Sequence, residues 1–397
     1  MRQKVVTAGV ALTSFETAAK GLGVLAEIEI SGRHVGRMTE EIGAEMVRAR
    51  DERVEEHRHL RLKPRVETVP PLAVVEVDGG RVHTRAADCG AGVHEPSWRE
   101  SKVANLLTMA GETFAADPQP EPPAAFTNAE RVAALARGIK GFSAGKEAET
   151  DAVSGDVEKE ETLADEPPPA WQPERLVRTC VATMRDSEAF GAMVAAEAQE
   201  RNLYAALRRA FIADGSKYNW SIQQRWFRDF VPINDFVHVL SYVYEAAQAA
   251  GGTPQESWQR YQTWLRACWQ GRVTEVIAAL AEVQARLGEV QPDESPPATD
   301  PRLVVAQART YLQNNQTRMD YPRYRQQGLP ITSALVESVI KEFNYRVKGS
   351  EKFWLEKGVE EVLQVRAAYL CEDDRLAKHL AQRPGSPYRR RSRRQAA

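Results

Sequence analysis

Three carboxylates in this sequence stand where they could hold metal ions. Asp78 follows the apolar run LAVVEV and Asp214 follows AFIA, so each is predicted at the end of a buried β-strand. Glu337 lies on a predicted helix that opens near Ser333. Three carboxylates can hold two Mg²⁺ or Mn²⁺ ions that clamp a phosphodiester during cleavage. Taken singly, an Asp-Gly pair is also an ordinary turn, and a lone glutamate on an amphipathic helix is commonly solvated.

The predicted helix that carries Glu337 has two distinct faces. One is an apolar stripe at helical spacing, formed by Leu335, Val336, Val339, Ile340, Phe343 and Val347. The other lies about 100° away and is formed by Glu337, Lys341, Asn344 and Lys348. A helix that packs against a core and still shows one acid beside two bases suits a metal ligand next to lysines that meet a DNA backbone.

The segment RVKGSEKFW, at the end of that helix, combines basic and aromatic residues. Arg346, Lys348 and Lys352 could contact phosphates, and Trp354 could stack on a base, so we predict DNA contact here. The alternative is an ordinary helix C-terminus, which favours Lys and Arg and would be capped by Gly349.

Strands and helices alternate around the three carboxylates. Strands are predicted in LAVVEV and RVHTR, joined by an Asp78-Gly79-Gly80 turn, and in ESKVANLLTM, AFIA and FVPIN. The chain is predicted to be helical from residue 173 to the AFIA strand, over 240–290, and over 357–383. Two helices in 15–48 suggest either a helix-turn-helix that reads DNA or a simple amphipathic pair.

Asp235 and His238 form a DxxH step where FVPIN passes into a helix. They are predicted either to support the active site near the scissile phosphate or to form a helix N-cap with a packed histidine. Three tryptophans, Trp258, Trp264 and Trp269, could stack on a flipped base, but their helical spacing favours a core position.

Composition sets limits on these interpretations. The 397 residues carry 53 basic and 55 acidic side chains, so overall charge does not announce a nucleic-acid partner. The four cysteines (Cys89, Cys180, Cys268, Cys371) form no CxxC pair, which argues against a zinc ribbon and favours a reducing cytoplasm. No apolar run is long enough for a membrane helix. Residues 111–170 hold 13 acids against 5 bases and are predicted to form a loop or insertion, and the basic end 384–397 a disordered phosphate-binding arm.

These segments together resemble the ISKra-type bacterial insertion-sequence transposases, a DDE family. The resemblance covers about residues 4–390 and rests above all on INDFVHVLSYV, LPITSALVESVIKEFNYRVKGSEKFW and GVEEVLQVRAAYL, in that order. It implies an RNase H-like α/β catalytic core, two Mg²⁺ or Mn²⁺ ions, and metal binding by Asp78, Asp214 and Glu337. The 122 residues between Asp214 and Glu337 then fit a large all-α insertion.

The resemblance also sets the expected domains. They are an N-terminal helical DNA-binding segment (1–63), a catalytic core (71–239 and 328–383, interrupted by 111–170), an all-α insertion (240–327) and the basic tail. The chain departs from the family where such transposases often have a glycine-rich segment before the glutamate. It has Thr332, Ser333, Ala334 and Leu335 there, and its N-terminus lacks the longer, cysteine-rich part of family members.

The expected function is metal-dependent cleavage of double-stranded DNA at insertion-sequence ends, followed by strand transfer to target DNA. Joining two ends implies a homodimer or a larger assembly on DNA, and no membrane partner is expected. Two alternatives stay open at this point: a catalytically decayed or domesticated DNA-binding remnant of a transposase, and another RNase H-like nuclease.

Overall fold

The structure is a computed structural model that describes residues 1–86, 97–144, 169–291, 293–349 and 352–383, without the side chains of 140–144. The chain divides into two compact units. Unit 1 comprises Met1–Thr108, Arg175–Leu207 and Ala334–Ala397, and unit 2 comprises Met109–Glu174 and Arg208–Ser333. The predicted basic tail 384–397 and Cys89 lie outside the described residues.

Five strands form one mixed sheet, so the α/β prediction is confirmed at this level. The strands are β1 Leu72–Thr84, β2 Ser97–Ala110, β3 Glu174–Thr183, β4 Arg208–Ala213 and β5 Val231–Asn234, and their order is β3-β2-β1-β4-β5. The strands β4 and β5 are parallel, with Ala213 opposite Asn234. The strands β1 and β2 run antiparallel, because Thr84 donates to the carbonyl of Ser97 (3.1 Å) and Asn105 donates to Glu76 (3.3 Å).

Helices make up most of the remaining described chain. In order they are α1 Arg2–Ala11, α2 Phe15–Ala26, α3 Gly32–Arg58, α4 Ala129–Ala144, α5 Ser187–Glu200, α6 Lys217–Trp226, α7 Phe236–Ala249, α8 Pro254–Trp269, α9 Val273–Leu287, α10 Pro301–Asn315, α11 Tyr321–Gln326, α12 Ala334–Val347, α13 Glu356–Leu370 and α14 Arg375–Gln382. Within the described ranges, no helix is both long and apolar enough to cross a bilayer.

The N-terminal helices form part of the core of unit 1. The helix α3 begins at the predicted cap Ser31 and packs along α13 over much of its length. Gly43 makes this close approach possible, because a Cβ there would lie 2.3 Å from the carbonyl oxygen of Glu361. Arg50 of α3 pairs with the buried Glu360, which also accepts hydrogen bonds from Thr183. The predicted helical pair is therefore present, but it is built into unit 1.

The structure corrects two local predictions in unit 1. The strand β1 continues through Asp78, Gly79 and Gly80, so the turn predicted there is absent. Glycine also tolerates extended backbone, and a Cβ on Gly80 would meet Ser101 Oγ at 3.0 Å, so the position serves close packing instead of a reversal. Residues 174–183 form β3, although the sequence predicted a helix there. The run LVRTCVAT is rich in β-branched residues, and its tertiary strand pairing prevails.

The acidic segment that begins at residue 111 is not simply a loop. It contains a 3-10 turn at Ala124–Phe126 and the helix α4, which packs on α7 within unit 2. Asp117 pairs with the fully buried Arg325 (2.5 Å), whose guanidinium lies 4.2 Å from the ring of Trp269. The part of the segment over 145–168 lies outside the described residues.

The tryptophans belong to the core of unit 2. Trp264 and Trp269 are buried, Trp258 is half-buried and stacks on Tyr261 (4.9 Å), and the indole N–H of Trp269 donates to the carbonyl of Gln119 (2.8 Å). The core interpretation is confirmed, so these rings are not available for a flipped base.

Candidate active site

The Asp214 carboxylate of unit 2 is oriented by its own loop. It follows β4 directly, is half-buried, and begins the loop that leads into α6. Its Oδ1 accepts from the amide of Ser216 (3.0 Å) and from Asn219 Nδ2 (2.9 Å), and its Oδ2 accepts from Ser216 Oγ (2.8 Å). Three donors from the next five residues therefore fix both oxygens.

The backbone of this loop is held from below by α10. The Tyr311 hydroxyl donates to the carbonyl oxygen of Asp214 (3.0 Å) and accepts from Asn234 Nδ2 (2.9 Å). Burial raises the pKa of Tyr311, so the hydroxyl stays protonated and can donate. Gly215 has a φ of 95°, and a Cβ there would lie 2.7 Å from the Tyr311 ring, so only glycine fits this turn.

Asp235 stands next to this loop because β4 and β5 are parallel. Its amide donates to the carbonyl of Ala213 (2.9 Å), so Asp214 and Asp235 leave the carboxyl ends of two paired strands. Asp235 caps α7 by accepting from the amide of Val237 (3.0 Å). The N-cap interpretation is confirmed.

The same carboxylate orients His238. The Nδ1 of His238 lies 2.9 Å from Asp235 Oδ2, and Ser333 Oγ donates to that oxygen as well. Burial raises the pKa of Asp235, but the hydrogen bonds from His238 and Ser333 outweigh it and leave the pKa below its ordinary value. An ionised Asp235 accepts from Nδ1–H, and in neutral imidazole this makes Nε2 the acceptor nitrogen.

Asp78 lies on β1 of unit 1, in mid-strand and half-buried. Its Oδ1 accepts from the amide of Gly79 (2.7 Å). The helix α12 packs on this strand, because a Cβ on Gly80 would lie 3.4 Å from Asn344 Oδ1 and 3.8 Å from Ile340 Cγ2. The structure thus packs the helix of the predicted glutamate directly on the strand of the first predicted aspartate.

Glu337 lies in the first turn of α12 and is half-buried. A carboxylate there is stabilised by the positive end of the helix dipole. The predicted apolar stripe is confirmed for Val336, Val339, Ile340, Phe343 and Val347, which are buried in one cluster with residues of α13. The stripe fixes the rotation of α12 and so places Glu337 at the edge of the packed face.

Arg346 is the predicted DNA contact that the structure corrects. It is 1% exposed, its Nε donates to the carbonyl of Gly9 (2.7 Å), and its guanidinium lies 4.2 Å from the ring of Phe15 and 5.4 Å from that of Trp354. Burial lowers its pKa to about 10. The sequence placed it in a basic surface run, but helical rotation turns it into the core, where it joins α12 to the N-terminal helices.

The other basic candidates differ in exposure. Lys341 is exposed, and Lys348 is half-buried with its Nζ 5.8 Å from the Trp98 ring. Lys352 is half-buried and donates to the carbonyl of Arg346 (3.2 Å), and burial lowers its pKa to about 8. The half-buried Trp354 donates its indole N–H to the carbonyl of Val347 (2.8 Å), so its ring helps to close the end of α12.

The donor set in unit 2 suits a hard divalent cation. Asp214 offers carboxylate oxygens, which Mg²⁺ and Mn²⁺ prefer, and hydrogen bonds from Ser216 and Asn219 orient it as ligating carboxylates are usually oriented. Sequence reasoning did not find the supports Tyr311, Asn234 and Ser333. Tyr311 stands 97 residues after Asp214, and no local pattern links the two.

The comparisons with known proteins add no family assignment. No family model matches the sequence, and no curated protein matches it. The functional argument therefore rests on the residues and their geometry.

Proposed function

We propose that this chain is a DDE transposase that cleaves DNA at insertion-sequence ends and transfers the cut strand to target DNA. The observation that carries the proposal is the pair of aspartates, Asp214 and Asp235, that leave the ends of two parallel, hydrogen-bonded strands. One carboxylate is half-exposed and held ready by three donors, while the other is buried and orients a histidine. Turn or capping roles alone do not require this division of labour.

The fold supports the same proposal. An antiparallel β1–β2 pair and a parallel β4–β5 pair within one mixed sheet are compatible with an RNase H-like core. Between Asp214 and Glu337 the described chain is almost entirely helical after β5, in line with an all-α insertion. We assign metal binding to Asp78, Asp214 and Glu337, by the resemblance of the sequence to ISKra-type transposases.

Bound at these carboxylates, two Mg²⁺ or Mn²⁺ ions would supply Lewis-acid activation of a water and stabilise the leaving oxygen. The residues of the chain have separate tasks. Asp214 holds its carboxylate in one orientation through Ser216 and Asn219. His238, fixed by Asp235, presents Nε2 as an acceptor, or as a donor to a phosphate oxygen when protonated. The 3′ hydroxyl released by cleavage is the nucleophile for joining.

The DNA backbone would meet Lys341, which is exposed on α12 one turn beyond Glu337, with Lys348 further along the same face. Because two ends must be joined, we propose that the chain acts as a homodimer or larger assembly on double-stranded DNA.

The test is a cleavage and joining assay with Mg²⁺, on a labelled duplex taken from the DNA that flanks the coding sequence. Wild type is compared with Asp214→Asn, Glu337→Gln and, as a matched control on α12, Glu342→Gln. We expect joined product for wild type and the control, and losses of a hundredfold or more for the two ligand variants.

Each other outcome points elsewhere. Binding without cleavage by wild type would indicate a catalytically decayed or domesticated remnant. Hydrolysis without joining would indicate another RNase H-like nuclease. Equal cleavage by all four proteins would refute the assignment of Asp214 and Glu337.

A further inference from the structure

Unit 1 contains a cavity of about 580 Å³ that the proposed function does not use. It lies among α3, α5, α14 and β3, beside the segment that follows α3. Six of its lining residues are arginine or lysine, and three are acidic. Such an imbalance is costly in a partly enclosed space unless an anion compensates it.

The first source of surplus charge is a shared carboxylate. Arg53 Nε and Arg65 Nη2 lie 3.2 Å and 2.8 Å from the same oxygen of Glu200. One carboxylate balances at most one of these two guanidinium groups. Burial also raises the pKa of Glu200, which weakens the compensation further. The side chains of Arg53 and Arg65 are 33% and 52% exposed, so a ligand can reach them.

The second source is a pair of cations whose acceptors are neutral. Arg201 is 6% exposed and donates to the carbonyl of Leu106 and the hydroxyls of Thr179 (each 3.0 Å) and Thr108 (2.5 Å). Lys378 Nζ donates to the backbone carbonyl of Asp373 (2.6 Å). These acceptors satisfy the hydrogen bonds and leave the two charges in place.

The remaining acids do not cancel this surplus. Glu197 and Asp373 both pair with Arg375, at 2.6 Å and 2.8 Å. Burial raises the pKa of Glu197, but Arg375 outweighs it and holds the pKa at about 2. Both carboxylates are thus committed to Arg375, on the α14 side of the cavity.

We propose that this cavity binds a phosphate monoester with an apolar body, of the nucleoside monophosphate class. Arg53, Arg65 and Lys378 would hold the phosphate, since guanidinium groups match its oxygens in pairs. The apolar lining, which includes Met46, Val54, Val181 and Met193, would cover the body of the ligand. The volume lies within the usual range for small-molecule sites.

The test is isothermal titration calorimetry of the full chain with dAMP, inorganic phosphate and deoxyadenosine as probes. We expect saturable binding of dAMP, weaker binding of inorganic phosphate, and no binding of deoxyadenosine. Arg53→Gln and Lys378→Gln should each weaken dAMP binding about tenfold or more, because each removes a charge-assisted hydrogen bond. The control is Arg48→Gln, which removes an exposed arginine from the same helix α3 and should leave the affinity unchanged.

Circular dichroism melting of each variant separates loss of the site from loss of fold. A folded Lys378→Gln protein that binds dAMP as wild type does would overturn the proposal, whatever happens to Arg53→Gln. So would the absence of dAMP binding by wild type at millimolar concentration, or an equal loss in Arg48→Gln. Equal affinities for dAMP and inorganic phosphate would overturn the assignment of the apolar wall.

Discussion

Replacing Tyr311 with phenylalanine tests whether α10 supports the Asp214 loop. The hydroxyl is the link between the loop and β5, since it donates to the Asp214 carbonyl and accepts from Asn234. Phenylalanine keeps the ring, which stacks on Tyr242 at 3.9 Å, and removes only the oxygen.

The expected cost follows from what the oxygen leaves behind. Asn234 is fully buried, and its Nδ2 loses the Tyr311 hydroxyl as its acceptor. The carbonyl of Asp214 loses a donor in the same place. A buried polar group left without a partner costs about 1–3 kcal/mol, so we expect the free energy of unfolding to fall by about 2–4 kcal/mol. This is a large part of the about 5–15 kcal/mol that stabilises a typical domain.

Tyr242→Phe is the matched control, because it removes the hydroxyl of the other ring in the stack. Among the described residues, that hydroxyl makes no hydrogen bond. Urea unfolding followed by circular dichroism should show a change below about 0.5 kcal/mol for Tyr242→Phe. Equal effects of the two variants would refute the role of the Tyr311 hydroxyl. If the site is catalytic, Tyr311→Phe should also lower cleavage at a temperature where the protein stays folded.

Three further changes have defined outcomes. Gly43→Ala should destabilise by about 1–3 kcal/mol, because its Cβ would meet a backbone carbonyl of α13, whereas Gly138→Ala, with open space around it, should stabilise by about 0.5–1 kcal/mol; thermal melting of both variants checks the opposite signs. The pKa of Glu197 is about 2 in the folded chain against an ordinary 4.5, so its contribution is present above pH ~4.5 and is lost as the pH falls towards about 2. Acid titration of Glu197→Gln should therefore show a shallower loss of stability in that window, and an unchanged slope would contradict the assignment. Arg346→Gln should lower the melting temperature, while Lys341→Gln on the exposed face should not; a DNA-binding defect in a fully stable Arg346→Gln protein would contradict the core role.

Periodicity in the sequence predicted some of this architecture closely. The apolar stripe of α12, the strand β4 before Asp214, and the step from β5 into α7 at Asp235 all follow from local patterns that tertiary structure preserved. Ser31 and Asp235 were recognisable as caps, because their side chains satisfy amide groups within three residues.

Other features depend on contacts between distant residues, which no local pattern reports. The pair Gly79-Gly80 has the composition of a turn, yet packing against Ser101 keeps β1 straight through it. Arg346 belongs to a basic run, but its exposure depends on the N-terminal helices that cover it. The role of Tyr311 depends on how α10 reaches the end of β4, across 97 intervening positions.

The discontinuity of unit 1 has a consequence for how the protein is made. Its core joins α3, near the start of the chain, to α13, near residue 360, and unit 2 is encoded between them. At a synthesis rate of about 5–20 residues per second, α3 waits about 15–60 s on the ribosome before its partner helix emerges. During that wait the face around Gly43 is unprotected, while every segment of unit 2 is already available to fold. We therefore expect nascent chains halted before residue 356 to contain a folded unit 2 and an α3 that remains sensitive to protease.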